Sequence, residues 1–467
     1  MIKLRTPHID VTKKRAAVLG SARSGRAVAA LLHRQGAEVF VSDSGSISGE
    51  SRSSFEDLKI GFEQNGHSEA SWQADFVVVS PGVPDSAEPV CRALEAGIAV
   101  YSEIEVSSWF CKAPIVAITG SNGKTTTARL LGHILASNGT TTHVCGNVGI
   151  PFADHADRVE SDHIVVLEVS SFQLDHIDRF RPAVSILLNI TPDHLDRYGH
   201  DVEQYAKSKL RICENQSEED TFIFNRDDER LNRFVDSGFE TTRLTASNGQ
   251  GPNQLGISLC EEEGAAGFLR DRDLVLCIND QEEVIMQIED LALRGRHNVY
   301  NSLAAAVAAR VVEVRSDVVR ESLRSFEGVP HRLESVREVD GVRYINDSKA
   351  TNVNALWYAL ESFTEPVVLI AGGRDKGNDY EELIPLIQSR VRALITIGEA
   401  ADRMSAELGE FVDDNVTTET LDEAVKLAHL LAKEGDVVLL SPACSSFDMF
   451  DSFEDRGSNF KQIVSNL

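Results

Sequence analysis

Between Pro114 and Leu135 the chain reads Ile115-Val116-Ala117-Ile118-Thr119-Gly120-Ser121-Asn122-Gly123-Lys124-Thr125-Thr126-Thr127, followed by a segment whose apolar residues recur at helical spacing. A short apolar run, a glycine loop and an amphipathic helix in that order predict a strand, a tight turn and a helix start. Small residues at the turn let backbone N–H groups close around a phosphate, the helix N-terminus adds partial positive charge, and a lysine there reaches terminal phosphates. Thr125 would then hold Mg²⁺. The full phosphate-loop pattern has a glycine where Ile118 stands, so this is a shortened variant. Gly120, Asn122, Gly123, Lys124, Thr125 and Thr126 form the candidate phosphate-binding set.

A chain of 467 residues exceeds one ordinary core and predicts about three domains. With 42% hydrophobic and 25% charged residues it has a globular composition, and no run of about 18 apolar residues predicts a membrane span. Its 46 basic against 73 acidic residues leave a net charge of −27, which argues against nucleic acid and anionic membrane as partners. An anionic substrate must therefore meet a locally basic site. Seven cysteines without a Cys-x-x-Cys pair indicate neither a disulfide framework nor a thiolate zinc site. With no signal-peptide pattern at Met1 to His8, the expected compartment is the cytoplasm, and the expected state is a monomer.

Residues 15 to 43 read as strand, turn, helix and strand, with Ala16 to Leu19 and Glu38 to Val41 as the strands and Asp43 at the second strand's end. This is a nucleotide-type βαβ unit, but Ala22 replaces the glycine that lets a pyrophosphate approach closely in the dinucleotide fingerprint. A nucleotide or sugar-nucleotide pocket is the reading that remains, with Asp43 accepting a hydrogen bond. Asp75 to Pro84 forms a second strand edge, where Ser80, Pro81 and Gly82 make either a plain proline turn or one wall of the same pocket.

The pattern restarts between Trp109 and Pro114. His163 to Glu168 is an apolar strand ending in a carboxylate, as Mg²⁺ beside a phosphate loop requires. Ser185 to His194 is another strand with a polar end. A lone loop histidine is usually a packing or surface residue, yet His194 shares the predicted sheet edge with Lys124 and Glu168. Residues 245 to 285 alternate and are acidic and glycine-rich, which predicts an antiparallel excursion. After a hinge at Phe326 to Pro330, the runs at 366–370 and 436–440, with a helix over 421–433, predict a third parallel α/β domain. Gly372 to Gly377, with Arg374 and Lys376, reads as a tight turn or as a site for an anionic ligand. The expected fold is α/β in three domains: a Rossmann-like domain at 1–110, a central phosphate-loop ATPase-type domain at 111–329, and a C-terminal Rossmann-like domain at 330–467.

The loop at Gly120 to Thr126, Glu168 to Gln173, Asn189 to His194, His297 to Asn301, His331-Arg332 and Asn346 to Asn352 together resemble the Mur ligase family. These are ATP-dependent enzymes that extend the peptide of the peptidoglycan precursor. Ser80-Pro81-Gly82, Ser102-Glu103-Ile104-Glu105, Gly372 to Gly377 and Ser441 to Asp448 are similar to the members that attach D-glutamate to UDP-N-acetylmuramoyl-L-alanine. The Asp-Asn-Pro-Arg signature of the ligase adding a diamino acid does not occur in the chain. The resemblance covers essentially the whole chain and implies ATP, two Mg²⁺ ions, a UDP-sugar and D-glutamate as ligands.

Residue by residue, the resemblance implies that Arg23, Ser24, Asp43, Ser80, Gly82 and Asn147 line the UDP-sugar pocket. Beside the phosphate loop, Asn301, Arg332 and Asp347 would hold ATP. Thr125, Glu168, His194 and Lys209 would surround Mg²⁺, with Lys124, His194 and Lys209 carrying the chemistry. Thr351, Lys376, Ser446, Phe447 and Phe453 would hold D-glutamate. Phe447 stands where the family pattern more often has leucine, and Arg374 and Asp375 vary from its commonest loop. By spacing alone Lys209 reads as a solvated helix lysine. The resemblance instead implies a lysine carbamylated by CO₂, since an ammonium group has no lone pair for a metal. A nucleic-acid-dependent ATPase would want basic patches, and a folate-type ligase would lack the first domain.

Overall fold

The computed structural model describes residues 6–147, 149–193, 195–236, 251–293, 295–375 and 377–467. The chain divides into two compact units, Met1–Asp290 with Tyr300–Arg324, and Leu291–Val299 with Ser325–Leu467. His194 and Lys376 lie outside the described residues.

The first unit carries two sheets. Its N-terminal sheet is built from β1 (Arg15–Leu19), β2 (Glu38–Ser42), β3 (Gly61–Glu63), β4 (Phe76–Val79) and β5 (Ala99–Ser102), in the order β3-β2-β1-β4-β5, all parallel. Parallel strands covered on both faces read as continuous apolar runs, and Phe76-Val77-Val78-Val79 is buried throughout. Strand order reverses at β1, so the loops after β1 and β4 open at the switch point where such sheets bind ligands.

The central sheet comprises β6 (Ile115–Thr119), β7 (Thr142–Gly146), β8 (Ile164–Glu168), β9 (Val184–Leu187), β10 (Thr221–Asn225), β11 (Asn253–Ile257), β12 (Ala265–Arg270), β13 (Asp273–Ile278) and β14 (Gln281–Gln287). The order is β14-β13-β12-β11-β10-β9-β6-β8-β7. Strand β6 is flanked by β9 and β8 in parallel register, so the phosphate loop leaves the middle of the sheet. The antiparallel excursion expected over 245–285 is confined to β12, β13 and β14. Strand β11 instead runs parallel to β10, a pairing between distant segments that local alternation does not encode. Residues 245–250 of that stretch lie outside the described residues.

The two sheets of this unit are tied by buried carboxylates on the helix Glu103–Ser108. Glu105 accepts hydrogen bonds from the backbone N–H groups of Asp178 (3.0 Å), Arg179 (3.1 Å) and Phe180 (2.8 Å), and from the Trp109 indole (2.7 Å). Glu103 accepts from the Ala153 N–H at 2.7 Å and the Ser107 hydroxyl at 3.3 Å, and burial pushes its carboxyl up to about 7 from 4.5. Between those two values the folded chain keeps a proton that the unfolded chain has released. Its stabilising effect is complete below pH 4.5 and is lost as pH rises through about 7, a change of about 3 kcal/mol. Glu103→Gln keeps an acceptor for Ala153 without the charge, so its unfolding free energy should vary less with pH across this window. Denaturant titrations of both proteins at several pH values check this, and parallel curves would count against it.

The second unit has one sheet of β15 (Glu334–Val339), β16 (Val342–Asn346), β17 (Val367–Gly372), β18 (Val391–Ile397), β19 (Asp414–Thr417) and β20 (Val437–Leu440), in the order β15-β16-β20-β17-β18-β19. It is parallel apart from β15, which pairs antiparallel with β16 across a tight turn and corrects the expectation of a wholly parallel domain. Apolar clusters cover both faces, one around Leu356, Leu369, Leu394 and Leu439, the other around Tyr344, Ile370, Val438 and Phe460. No helix among the described residues is long and apolar enough to cross a membrane.

Candidate active site

The phosphate loop is held open by a brace from the neighbouring strand end. Ser121 N–H donates to the Asn189 carbonyl at 3.0 Å, Asn122 N–H donates to Asn189 Oδ1 at 2.9 Å, and Asn189 Nδ2 returns a bond to the Asn122 carbonyl at 3.1 Å. Ser121 Oγ donates to the Thr191 carbonyl at 2.7 Å and accepts from the Thr191 N–H at 2.9 Å. Gly123 caps the helix Lys124–Ser137 at φ 88°, and a Cβ there would lie 2.3 Å from Asn301 Oδ1. The left-handed backbone and the close approach both exclude a side chain. The neighbour is Asn301 of the helix Arg296–Val311, whose Oδ1 also accepts from Thr127 Oγ1 at 3.3 Å, so this residue of the ATP set packs onto the loop.

Two lysines converge on one carbonyl of this loop. Lys124 Nζ donates to the Gly120 and Ser121 carbonyls, both at 2.8 Å, and Lys209 Nζ donates to the same Gly120 carbonyl at 2.9 Å. Lys209 lies on the helix Val202–Leu210 and is 1% exposed, with its Nζ 4.5 Å from the centre of the Tyr205 ring. The solvated lysine expected from spacing is thus corrected. Lys209 follows Tyr205 by one helical turn and shares its buried face. Burial, then the neighbouring Lys124, push the Lys209 amine well below its ordinary range. Lys124 and Lys209 thus meet on one carbonyl of a chain with net charge −27, and the enclosure that favours a neutral Lys209 amine places an uncharged nitrogen against the loop.

Glu168 ends β8 at 3% exposure, and its Oε1 accepts from Asn147 Nδ2 at 3.2 Å. A residue assigned to the sugar pocket therefore touches one assigned to the metal. Glu168 and the buried hydroxyl of Thr125 offer hard oxygen donors, which suit Mg²⁺, an ion that keeps several waters. The Thr126 hydroxyl is buried without a hydrogen-bond partner among the described residues, as the cradle of an absent polar ligand would leave it. These residues fit the nucleotide and its metal.

At the N-terminal sheet, Asp43 accepts from Ser21 N–H (2.7 Å), Ser21 Oγ (2.6 Å) and Gly45 N–H (2.9 Å). Burial opposes ionisation of Asp43, but these hydrogen bonds outweigh it and hold the carboxyl below its ordinary range. Asp43 thus orders the loop after β1, which leads into the helix Arg23–Arg34, where Arg23 is exposed and Ser24 half-buried. Arg23 reaches the Gly149 carbonyl at 3.3 Å. Ser80 donates to the Gly20 carbonyl at 3.4 Å, and the exposed Gly82 borders a cleft of about 1060 Å³ that also contains Asp85, Phe172, Arg197 and Lys207. The residues expected at the sugar pocket therefore fall on the start of the helix after β1 and on the loops after β2, β4 and β7.

In the second unit, Asp347 follows β16 at 3% exposure and accepts from Ser441 Oγ at 2.8 Å and Leu333 N–H at 3.2 Å. Burial pushes its carboxyl up to about 6, against the pull of Arg332. Arg332 Nε is buried with no hydrogen-bond partner among the described residues. Of the residues expected to hold the amino acid, Ser446 (2% exposed) and Phe447 (65% exposed) lie on the loop after β20, Phe453 begins the last helix, and Thr351 and Phe453 are half-buried. Lys349 Nζ sits 5.2 Å from the centre of the Phe453 ring.

Family models match three consecutive stretches: the MurD N-terminal domain over 15–88, the Mur ligase middle domain over 118–309, and the Mur ligase glutamate ligase domain over 331–444. The UDP-N-acetylmuramoylalanine--D-glutamate ligase of Salinibacter ruber is 51% identical, over 98% of this chain and 99% of its own length. The chain belongs to the Mur ligase family. A second relative of the same description, from Chlorobium phaeobacteroides, is 45% identical over 98% of this chain and 100% of its own. Among solved structures, the Mur ligase MurF of Acinetobacter baumannii matches with a TM-score of 0.61 at 16% identity, covering 91% of this chain and 90% of its own. UDP-N-acetylmuramate-alanine ligase from Thermotoga maritima matches with a TM-score of 0.59 at 19% identity, covering 97% and 99%. At such identities the structures speak for the Mur ligase fold alone. The chain is an ATP-dependent ligase of that family. Asn189 was legible as part of a polar strand end and of a family motif but was given no role of its own, although its side chain braces the phosphate loop. Its place one residue past the apolar run Ile186-Leu187-Leu188, beside β6, is the signal that points to it.

Proposed function

We propose that this chain joins D-glutamate to UDP-N-acetylmuramoyl-L-alanine at the expense of ATP, giving ADP and phosphate, as a monomer in the cytoplasm. The observation that carries the chemistry is the convergence of Lys124 and Lys209 on the Gly120 carbonyl. The substrate assignment is supported by full-length relatives bearing that description. The proposed division is 1–110 for the UDP-sugar, 111–329 for ATP and 330–467 for the amino acid, in keeping with the three family-model spans.

A carboxylate and an amine do not condense in water without activation. The alanyl carboxylate attacks the γ-phosphorus of ATP, the bond to ADP breaks, and an acyl phosphate forms. The amine of D-glutamate then attacks the acyl carbon, loses a proton, and phosphate leaves from the tetrahedral intermediate. Lys124 faces the phosphoryl oxygens and stabilises the charge that moves between them. Gly120, Asn122, Gly123, Thr125 and Thr126 cradle the phosphates, with Asn301, Arg332 and Asp347 on the rest of the nucleotide. Arg23, Ser24, Asp43, Ser80, Gly82 and Asn147 take the UDP-sugar, and Thr351, Lys376, Ser446, Phe447 and Phe453 the D-glutamate. Thr125, Glu168, His194 and a carbamylated Lys209 would hold Mg²⁺, which when bound would supply charge screening between the carboxylate and the phosphates. His194 acts as a ligand or positioner rather than as the base for the amine.

Phosphate release from ATP should require both UDP-N-acetylmuramoyl-L-alanine and D-glutamate. Release indifferent to either, or stimulated by DNA, would overturn the assignment. Release with a different amino acid in place of D-glutamate would keep the ligase chemistry and move the specificity.

A further inference from the structure

Arg456 lies in the first turns of the helix Phe453–Ser465 and is 1% exposed, among the largest fully buried side chains of the chain. A buried guanidinium is ordinarily paired with a carboxylate. Among the described residues Arg456 has no ion-pair partner; its donors go to neutral oxygens. Nε donates to Ser348 Oγ at 3.0 Å, one terminal nitrogen to the Ser348 carbonyl at 2.9 Å and the Cys444 carbonyl at 3.1 Å, and the other to the Ser445 carbonyl at 3.5 Å. Burial pulls the group down to about 10 against the opposing pull of Cys444, Asp448 and Asp347, so it keeps its charge at neutral pH.

Each contact fixes a piece of main chain that borders the amino-acid site. Ser445 precedes Ser446 and Phe447. Its carbonyl also accepts from the Arg374 N–H at 2.9 Å, so the loop after β17 is fastened to the same point. Gly373, at φ 136°, has room for no Cβ there, which would lie 2.4 Å from that carbonyl and 3.1 Å from the guanidinium. Ser348 Oγ in turn donates to the Phe453 carbonyl at 2.8 Å. The loops after β16, β17 and β20 and the start of the last helix thus meet on one buried cation. No other guanidinium among the described residues makes this set of contacts, and none of the motifs read from the sequence includes it.

We propose that Arg456 is a positioning residue for the amino-acid substrate: it holds the Cys444–Ser446 turn and, through Ser348, the Phe453 backbone in the geometry that receives a dicarboxylic amino acid. The inference rests on the assignment of D-glutamate made above. Acting through backbone rather than by contact, Arg456 should govern the affinity for the amino acid and leave ATP and UDP-sugar affinities alone.

The test compares Arg456→Lys and Ser348→Ala with the wild-type enzyme in steady-state phosphate release, varying each substrate in turn and recording melting temperatures. Arg456→Lys keeps the charge but loses the fork, and Ser348→Ala removes only the hydroxyl link to Phe453. The expected result is a rise in the KM for D-glutamate of roughly tenfold in Arg456→Lys and a smaller rise in Ser348→Ala, with both other KM values within about twofold. Added guanidinium ion should lower the raised KM of Arg456→Ala. Unchanged D-glutamate KM in the two conservative variants, or equal rises for all three substrates, overturns the inference while leaving the function standing. A wild-type enzyme indifferent to D-glutamate overturns both.

Discussion

Lys124→Ala should lose turnover by about a thousandfold, the size seen when a preorganised charge facing a developing anion is removed. The affinity for the UDP-sugar should stay nearly intact. The variant loses the donors to the Gly120 and Ser121 carbonyls, but the Asn189 brace holds the loop from the other side, and Lys209 still donates to Gly120. Arg23, Asp43 and Ser80 follow strands β1, β2 and β4 of the N-terminal sheet, and among the described residues the hydrogen bonds of their side chains are with Gly149, Ser21, Gly45 and Gly20. Equilibrium binding of UDP-N-acetylmuramoyl-L-alanine to the variant is the measurement. A collapse of that affinity matching the loss of turnover would make the loop a structural element of the whole unit rather than a catalytic one.

Much of this arrangement was legible because parallel strands buried on both faces leave uninterrupted apolar runs. The segments ending at Leu19, Glu168 and Leu440 were placed within a residue of their observed ends for that reason. Each is followed by small or polar residues, and the chemistry of these folds gathers at such ends. The glycine loop was legible as a loop because small residues stand between an apolar run and a helical pattern, and the structure shows why Gly123 is needed there, at a left-handed backbone against Asn301. Pairings between distant segments were not legible. Strand β11 alternates like a surface strand yet joins β10 in parallel, and β15 reads like any other strand until its partner is known.

Ionic residues in the interior were the other blind spot. Composition and periodicity treat a lysine or arginine as a marker of the solvated face, so Arg456 left no trace in the pattern and Glu103 stood out only within a family motif. Both are buried because oxygen or nitrogen partners wait for them, on the Ser348 and Cys444 carbonyls and the Ala153 N–H respectively. Whether a charge has such partners is decided by tertiary contact. Resemblance supplied what pattern could not, since the family motif marked Lys209 as functional where spacing made it a surface residue.

Lys209 is where the second large effect is expected. Its neighbour Lys207 is exposed on the rim of the cleft beside Gly82, whereas Lys209 is enclosed between Tyr205 and the phosphate loop. A buried ammonium beside a second lysine is a poor resting state, because burial and the Lys124 charge both favour the neutral amine. A neutral amine adds to CO₂, forming a carbamate and releasing a proton. The product replaces a cation with two oxygens, the donor type Mg²⁺ takes, while its N–H keeps a donor for the Gly120 carbonyl. Lys209→Ala should therefore be nearly inactive and partly restored by acetate, which can enter the vacated space with the carboxylate the carbamate would have supplied. Lys207→Ala should remain active. Melting temperatures for both variants separate loss of the group from loss of the fold. If Lys209→Arg retained full activity, the carbamate would be excluded, since a guanidinium that stays protonated cannot add to CO₂.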